Sequence, residues 1–210
     1  MTLDLFYDTM ERWRNDRFAV IEQHYDVSTY FQGKTVLEVA AAWGHIGSRF
    51  ANQYGATVTC TDYYDKWIQT INTRYPNIRT RIQDLNKPWD FDEFFDVIIH
   101  MGVIYHQPPD LAEIRLREAI AHCSEMIIET LAEISDDPTY IARVEPPREF
   151  TWEPLDMIVD YSRPSTAFIN RILDDCGMTY TMVQYCEPYK DDTHEEARFL
   201  WFCKKTITPN

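Results

Sequence analysis

One stretch of the chain, residues 34–47, most restricts what this sequence can fold into. It begins with an apolar run over 35–39, whose β-branched residues suit a buried strand. A helical pattern starts near His45, and the positions between are mostly small, namely Ala40, Ala41, Ala42 and Gly44. A strand, a small-residue turn and a helix in succession let the backbone approach a nucleotide-like ligand closely, with helix N–H groups directed at it.

Acidic residues mark the ends of successive predicted strands. Glu38 lies in the first, and strands predicted over 57–61 and 79–83 end at Asp62 and Asp84. An acid at the tip of the second strand of such a unit typically accepts hydrogen bonds from a ribose diol. The adjacent Tyr63 is a candidate to cover an adenine face. The alternative role of Asp62 is to cap the helix predicted over 64–75.

The segment Glu38-x-Ala40-x-Ala42-x-Gly44 resembles the acidic-x-Gly-x-Gly-x-Gly motif of class I S-adenosylmethionine (SAM)-dependent methyltransferases. Alanine stands at two of the three glycine positions and disfavours positive φ. Alanine remains small enough for close approach to the ligand if these two backbones stay at negative φ. The alternative is an ordinary strand–turn–helix without a ligand.

The same resemblance assigns roles further along the chain. It implies that Asp84 meets the adenine amino group, to which a carboxylate acceptor is suited, and that the backbone of Leu85 meets a ring nitrogen. A fourth strand, predicted over 96–100, leads into the segment 101–106, Met-Gly-Val-Ile-Tyr-His. That segment resembles the Met-Gly-Val-Leu-Tyr-His of tRNA wobble-uridine carboxymethyltransferases. The segments 126–131 and 163–177 also resemble the corresponding segments of those enzymes. The resemblance covers roughly residues 34–205, includes Met101 among the cofactor contacts and implies an RNA substrate.

Methyl transfer from a sulfonium asks the protein mainly for proximity and orientation. A base is needed only if the acceptor must lose a proton. His106 is our first candidate because the reference pKa of histidine is about 6.5 and the resemblance places the loop of Tyr105 and His106 opposite the methyl group. The alternative is that both residues only shape the pocket. Glu129 is a further candidate, whereas His100, at a strand end, is more consistent with a structural role.

The remaining pattern predicts a doubly wound α/β fold with a mostly parallel, seven-stranded, Rossmann-like sheet. A helix over 108–122, a strand over 126–131 and a helix over 164–175 precede two β-rich runs, 179–186 and 198–203. With no helix between them these last two must pair antiparallel, which gives a C-terminal hairpin. We expect residues 34–210 to form the SAM-binding domain, after an N-terminal helix and connector over 1–33.

Two further segments are candidates to lie beside this domain's ligand, and for the first of them packing on the sheet edge is the favoured interpretation. The N-terminal helix, over 4–25, either packs on the sheet edge or forms a lid with Trp13 or Tyr7 facing inward. Residues 132–162 break the pattern with four prolines and the aromatic residues Tyr140, Phe150 and Trp152. We interpret this long irregular connection as a substrate cover, with a solvated excursion as the alternative.

Charge and composition exclude several classes of function. The formal net charge is −14, whereas a protein that grips long duplexes normally shows a basic patch. No apolar run approaches the roughly 20 residues needed to cross a bilayer. Five scattered cysteines without a Cys-x-x-Cys are typical of a reduced cytoplasmic protein, and the histidines lack metal-ligand spacing. The oligomeric state is left open.

The sequence therefore predicts a cytoplasmic SAM-dependent methyltransferase whose acceptor is more consistent with a small molecule than with nucleic acid. Three alternatives stay open. The first is a tRNA-type RNA-modifying methyltransferase, and the second is a non-catalytic SAM-binding module, which the replaced glycines favour. The third is an NAD-dependent enzyme, because residues 42–47 are a degraded G-x-G-x-x-G and Asp62 would serve NAD equally well. Glu38, Asp84 and the terminal hairpin favour SAM.

Overall fold

A computed structural model describes residues 15–138, 145–150, 157–161, 163–186, 189–190 and 195–206. The chain divides into two compact units, residues 1–82 and residues 83–210. The lid candidates Tyr7 and Trp13 lie outside the described residues. In the described part of the chain, no helix combines the length and the apolar character needed to cross a membrane.

The first unit alternates strands and helices. Its three strands are parallel, in the order β3-β2-β1, and Glu38 lies opposite Cys60 in the register of β1 and β2. The core between strands and helices is made of residues such as Leu37, Phe50 and Ile71, which are fully buried. The elements are α1 (15–24), α2 (Val27–Tyr30), β1 (Thr35–Glu38), α3 (His45–Asn52), β2 (Thr57–Asp62), α4 (Asp65–Arg74) and β3 (Arg79–Ile82).

The second unit carries the antiparallel end of the fold. β4 pairs with β5 in parallel, whereas β10 pairs antiparallel with β5, β8 and the short β9. The elements are β4 (Phe95–Met101), a 3₁₀ turn (Ile104–His106), α5 (Pro109–Ala121), β5 (Cys123–Glu133), β6 (Glu145–Phe150), β7 (Met157–Tyr161), α6 (Thr166–Asp175), β8 (Met178–Gln184), β9 (Tyr189–Lys190) and β10 (Glu195–Lys205). The predicted C-terminal antiparallel pairing is confirmed.

Local sequence accounts for most of these elements. Three consecutive residues of β4, Val97–Ile99, are fully buried, which a strand covered on both faces requires of its apolar run. The helix α6 begins after Ser165, whose side chain accepts a hydrogen bond from the backbone N–H of Phe168 at 2.9 Å. Such a serine N-cap satisfies one of the helix's unpaired donors.

The connection over 132–162 is more regular than the sequence indicated. β5 extends to Glu133, and β6 and β7 form an antiparallel pair with a register shift between Glu145 and Arg148. Two prolines fall at that shift, and a two-stranded ribbon tolerates them because each of its strands is an edge. Tyr140 and Trp152 lie outside the described residues, so the role of this segment as a substrate cover stays a prediction.

Candidate functional site

The turn between β1 and α3 holds the backbone conformation of a glycine motif although two glycines are absent. φ is 50° at Ala40, 47° at Ala42 and 71° at Gly44. The condition of negative φ at both alanines is therefore not met. Left-handed backbone costs a non-glycine residue roughly 1–2 kcal/mol, so the surroundings must impose it. The N–H of Ala41 donates to the carbonyl of Thr61 at 2.8 Å, and that of Ala42 donates to Asp62 at 2.9 Å.

Glu38 lies beneath the first turn of α3. It is 3% exposed, and its Oε2 accepts hydrogen bonds from the N–H of Gly47 at 2.8 Å and from the thiol of Cys60 at 3.2 Å. A Cβ at Gly47 would lie 2.6 Å from that oxygen and 2.5 Å from the sulfur of Cys60. Burial and the nearby carboxylate raise the pKa of the Cys60 thiol, which therefore stays protonated and donates. One carboxylate thus ties together β1, β2 and α3.

Asp62 joins the same turn to the end of β2. It is 5% exposed, and its two oxygens accept from the N–H groups of Ala42 and Tyr64, each at 2.9 Å. Burial raises the pKa of Asp62, and these backbone donors partly oppose the shift. The N-cap of α4 is Tyr64, so the alternative of Asp62 as that cap is wrong. A carboxylate has about four acceptor positions, so the three backbone donors of Ala42, Tyr63 and Tyr64 leave capacity for a ribose hydroxyl. Tyr63, next to it, is 46% exposed.

In the second unit, Asp84 and Leu85 lie in an irregular but well-anchored segment. An oxygen of the Asp84 side chain accepts from the N–H of Asn86 at 2.9 Å, and its carbonyl accepts from the N–H of Lys87 at 3.0 Å. The carbonyl of Leu85 accepts from two side chains, Arg115 at 3.1 Å and Gln107 at 3.3 Å. The segment predicted to read adenine is therefore fixed by its own turn and by α5.

The end of β4 leads directly into the predicted acceptor loop. Met101 is buried, and Gly102, at φ 71°, donates its N–H to the carbonyl of Glu129 at 2.9 Å. The rings of Tyr105 and His106 lie 4.2 Å apart. Burial, followed by the charges of Arg198 and Arg163, lowers the pKa of His106 to about 4. The imidazole is thus neutral at pH 7 but roughly 300-fold less basic than an ordinary histidine.

Glu129 is the buried centre of a set of side chains that we call the Glu129 cluster, whose other members are half-buried: Tyr105, His106, Tyr185 and Arg198. Glu129 has no exposed surface, and its Oε1 accepts from Arg198 at 2.8 Å and from the hydroxyl of Tyr185 at 2.6 Å. Leu200 lies opposite Glu129 in the register of β5 and β10. Arg198, two residues along the same face, therefore meets the carboxylate diagonally. Its guanidinium lies 5.7 Å from the ring of Tyr105.

Sequence reasoning did not find Arg198 or Tyr185. One signal for Arg198 was present, because it is the single charge within the apolar run 197–203 of a predicted strand. A charge in a buried strand needs a partner, and Glu129 in the neighbouring strand supplies it.

His100 is 1% exposed, burial lowers its pKa to about 4, and its Nδ1 has no hydrogen-bond partner among the described residues. Within the same described part, no cluster of His, Cys, Asp and Glu is arranged to hold a metal ion.

Part of the sequence matches the model of a known protein family. Residues 36–125, a little under half of the chain, match the model of a family described as a methyltransferase domain. The matched segment contains β1, the turn after it, and the strands that carry Asp62 and Met101. The comparison with curated proteins found no match.

Solved structures with the same fold are numerous, and three illustrate them. The DhpI–SAH complex has a TM-score of 0.69 at 16% identity, covering 97% of this chain and 89% of that one. Magnesium protoporphyrin IX methyltransferase (ChlM) from Synechocystis PCC 6803 with bound SAH has a TM-score of 0.66 at 14% identity, covering 98% and 89%. The N-terminal domain of EvdMO1 in the presence of SAH and D-fucose has a TM-score of 0.64 at 17% identity, covering 88% and 81%.

The predicted fold class, Rossmann-like with antiparallel C-terminal strands, is confirmed. So are the predicted enzyme class, a SAM-dependent methyltransferase, and its cofactor, SAM. The tRNA wobble-uridine subgroup is not confirmed by any of these comparisons. The roles of individual site residues stay predictions, including the expectation that Glu38, Asp62 and Asp84 face one ligand.

Proposed function

We propose that this enzyme transfers the methyl group of SAM to a small-molecule acceptor. The observation that carries the proposal is the turn after β1, where Ala40, Ala42 and Gly44 all have positive φ and Asp62 holds the N–H of Ala42. A strained turn persists only where its surroundings impose it, and such turns concentrate at ligand sites.

The residues of the first unit fit the cofactor. The side chains after β1 are no larger than a methyl group from Ala40 to Ala42, so the backbone of this turn is open to close approach. Asp62 retains acceptor capacity for a hydroxyl of the ribose diol, and the exposed side chain of Tyr63 lies beside it to cover a base. Glu38 is assigned a supporting role, because its carboxylate accepts from Gly47 and Cys60 and is 3% exposed.

Bound SAM supplies an electrophilic methyl group on a sulfonium that leaves as a neutral thioether. What this chain adds is placement of the acceptor atom in line with that group and exclusion of water. In the second unit the Glu129 cluster is the candidate for this task. The charge of Arg198 is offset by Glu129, and His106 is neutral at pH 7, so the cluster can orient a polar acceptor without adding a net charge.

The depressed pKa of His106 favours orientation over strong general-base catalysis. An imidazole whose conjugate acid has a pKa of about 4 removes a proton efficiently only from an acidic acceptor or from one that loses it as the methyl group arrives. Acceptors that need no deprotonation, or that are acidic themselves, match this site best.

Two observations support a small molecule over nucleic acid. The net charge of −14 opposes extended phosphate contact. Two of the similar structures carry small molecules in their descriptions, magnesium protoporphyrin IX in one and D-fucose in the other. Both proteins are below 20% identity to this chain, so neither molecule is assigned to it as an acceptor.

Cofactor binding is tested by calorimetry with SAM and with S-adenosylhomocysteine on Asp62→Asn. We expect the loss of the ribose contacts to weaken both ligands at least about tenfold. Asp65→Asn, three residues along and exposed at the start of α4, is the matched control and should bind normally. Undiminished affinity of Asp62→Asn would overturn the assignment of Asp62.

The acceptor class is tested by release of S-adenosylhomocysteine in the presence of two pools. One pool is a metabolite fraction below about 1 kDa, the size range of small-molecule ligands, and the other is total tRNA at equal mass. We expect S-adenosylhomocysteine to be released when the metabolite pool is present and not when it is left out. Turnover with tRNA alone would overturn the small-molecule proposal and favour the RNA-modifying alternative.

A further inference from the structure

The carbonyl of Leu85 accepts hydrogen bonds from two side chains that approach it from elsewhere in the second unit. Arg115 Nε donates at 3.1 Å from the middle of α5, and Gln107 Nε2 donates at 3.3 Å from the end of the acceptor loop. Both side chains are buried, with Gln107 4% and Arg115 7% exposed. A buried charge loses its hydration and must be paired or hydrogen-bonded in return, and Arg115 uses the carbonyl of Leu85 for part of this.

Arg115 is itself braced. Its Nη1 lies 2.5 Å from the carboxylate of Glu118, which also accepts from the N–H of Trp89 at 3.2 Å. The charge of Arg115 is therefore neutralised within its own helix, and its Nε is directed at Leu85. The arrangement links α5 to the segment 84–89 at two points.

The peptide plane before Leu85 is fixed as well. The carbonyl of Asp84 accepts from the N–H of Lys87 at 3.0 Å and from the side chain of Gln83 at 3.4 Å. Because a trans peptide is planar, the N–H of Leu85 then points in the opposite direction to that carbonyl. The planes on both sides of Leu85 are thus set, and the turn bond to Asn86 sets the carboxylate of Asp84.

We propose that Arg115 and Gln107 are positioning residues that hold Asp84 and the N–H of Leu85 in the geometry that recognises adenine. The inference rests on the proposed function, since it takes the ligand to be SAM. Arg115 acts on selectivity for the base and does not touch the reacting methyl group. Gln107 follows His106 directly, so the same carbonyl also ties the adenine-reading segment to the acceptor loop.

The test compares S-adenosylhomocysteine with S-inosylhomocysteine by calorimetry. In the inosine analogue a carbonyl replaces the amino group and the facing ring nitrogen carries a hydrogen. Both contacts therefore become repulsive, carbonyl against the carboxylate of Asp84 and N–H against the N–H of Leu85. We expect the wild-type enzyme to prefer the adenosine compound by at least about a hundredfold.

In Arg115→Met this preference should fall about tenfold, and in Gln107→Leu by a smaller factor, because the reading groups are no longer held. Arg117→Met is the matched control. It removes an arginine from the same helix whose ion-pair partners are Glu113 and Asp175, and it should keep the wild-type preference. Should Arg115→Met not fold, Arg115→Lys and Gln107→Leu carry the test.

Each outcome decides a separate point. A preference that is unchanged while both ligands weaken equally would show that Arg115 and Gln107 are only structural, which overturns the inference. Wild-type enzyme that binds both compounds alike would show that Asp84 and Leu85 do not read the base, which also overturns it. Wild-type enzyme that binds neither compound would instead overturn the proposed function.

Discussion

The turn after β1 and the Glu129 cluster use their charged side chains in opposite ways. In the turn, the carboxylates of Glu38 and Asp62 accept from backbone N–H groups of Gly47, Ala42 and Tyr64. In the cluster, Glu129 accepts from two side chains, those of Arg198 and Tyr185.

The difference predicts that the two regions respond differently to substitution. A binding surface held by backbone bonds depends on the course of the chain and suits a ligand that does not change, as a cofactor does. A surface of paired side chains changes with single substitutions and suits an acceptor that differs among enzymes of one fold. The following predictions separate the two regions by the size and sign of their effects.

Breaking the buried ion pair should have the largest effect. Glu129→Gln keeps the shape of the side chain but leaves the buried charge of Arg198 without its counter-charge, so we expect a loss of about 3–5 kcal/mol in the free energy of unfolding. Urea denaturation measures it. Glu125→Gln on the same strand, whose partner Lys204 is 60% exposed at 3.8 Å, should cost at most about 1 kcal/mol. Equal losses for the two variants would contradict the prediction.

Acid should destabilise the second unit through its buried histidines. The pKa of His100 is about 4 in the folded state, below its ordinary 6.5, because burial disfavours the charged form. The unfolded chain therefore takes up the proton first, and stability falls as pH drops from about 6.5 to 4, by up to roughly 3 kcal/mol for this residue. His106 acts in the same direction. In urea titrations between pH 7 and 4, His100→Leu should lose less stability than the wild type, and parallel pH curves would refute the assignment.

Asp62 should change the pH dependence of stability in the opposite direction to the histidines. Its pKa is raised in the folded state by burial, so the folded form holds the proton more tightly than the unfolded chain. The contribution of this carboxyl to stability therefore grows as pH falls through the range above its ordinary value. Asp62→Asn should remove that favourable trend, so its measured stability should decline more steeply with acid than that of the wild type.

Adding a side chain at Gly47, beside the turn after β1, should lower the stability of the protein by an intermediate amount. The Cβ of Gly47→Ala meets the Cys60 sulfur and the Glu38 carboxylate at 2.5 and 2.6 Å, so we expect a cost of about 1–3 kcal/mol and weaker SAM binding. In a Cys60→Ala background one of these contacts is absent, and the cost should shrink. Thermal unfolding of the four proteins in this cycle measures the coupling. A cost independent of Cys60 would mean that the strain lies elsewhere.

Restoring glycine to the motif should give the smallest change in stability. The sign of this change should differ among the three neighbouring alanines. Ala40→Gly and Ala42→Gly relieve left-handed strain at φ 50° and 47°, and after the entropy of glycine is subtracted each should stabilise by up to about 1 kcal/mol. Ala41 lies between them without positive φ, so Ala41→Gly should destabilise by about 1 kcal/mol. Chemical denaturation distinguishes the signs, and three equal effects would remove the case for strain.

Much of the architecture was predictable from local pattern. The apolar runs that become β1, β2 and β4 were located to within one or two residues, and the two C-terminal strands were correctly predicted to pair antiparallel. The pair β6–β7 was missed, because its prolines argue against strands unless the register shift that accommodates them is known. Arg115 was overlooked for a similar reason, since an arginine in a helix normally faces solvent.

The order of strands and helices, and the positions of Glu38 and Asp62 at the ends of β1 and β2, followed from the sequence by itself. Asp84 instead lies two residues beyond the end of β3. Propensity and hydrophobic period depend on residues that are near one another in the chain, and a single sequence contains that information. Three features were decided only by tertiary structure: the left-handed backbone of Ala40 and Ala42, the pairing of Glu129 with Arg198 across 69 positions, and the low pKa of His106. Each depends on what surrounds a group once distant segments have packed, because strain, ion pairing and desolvation are set by neighbours in space.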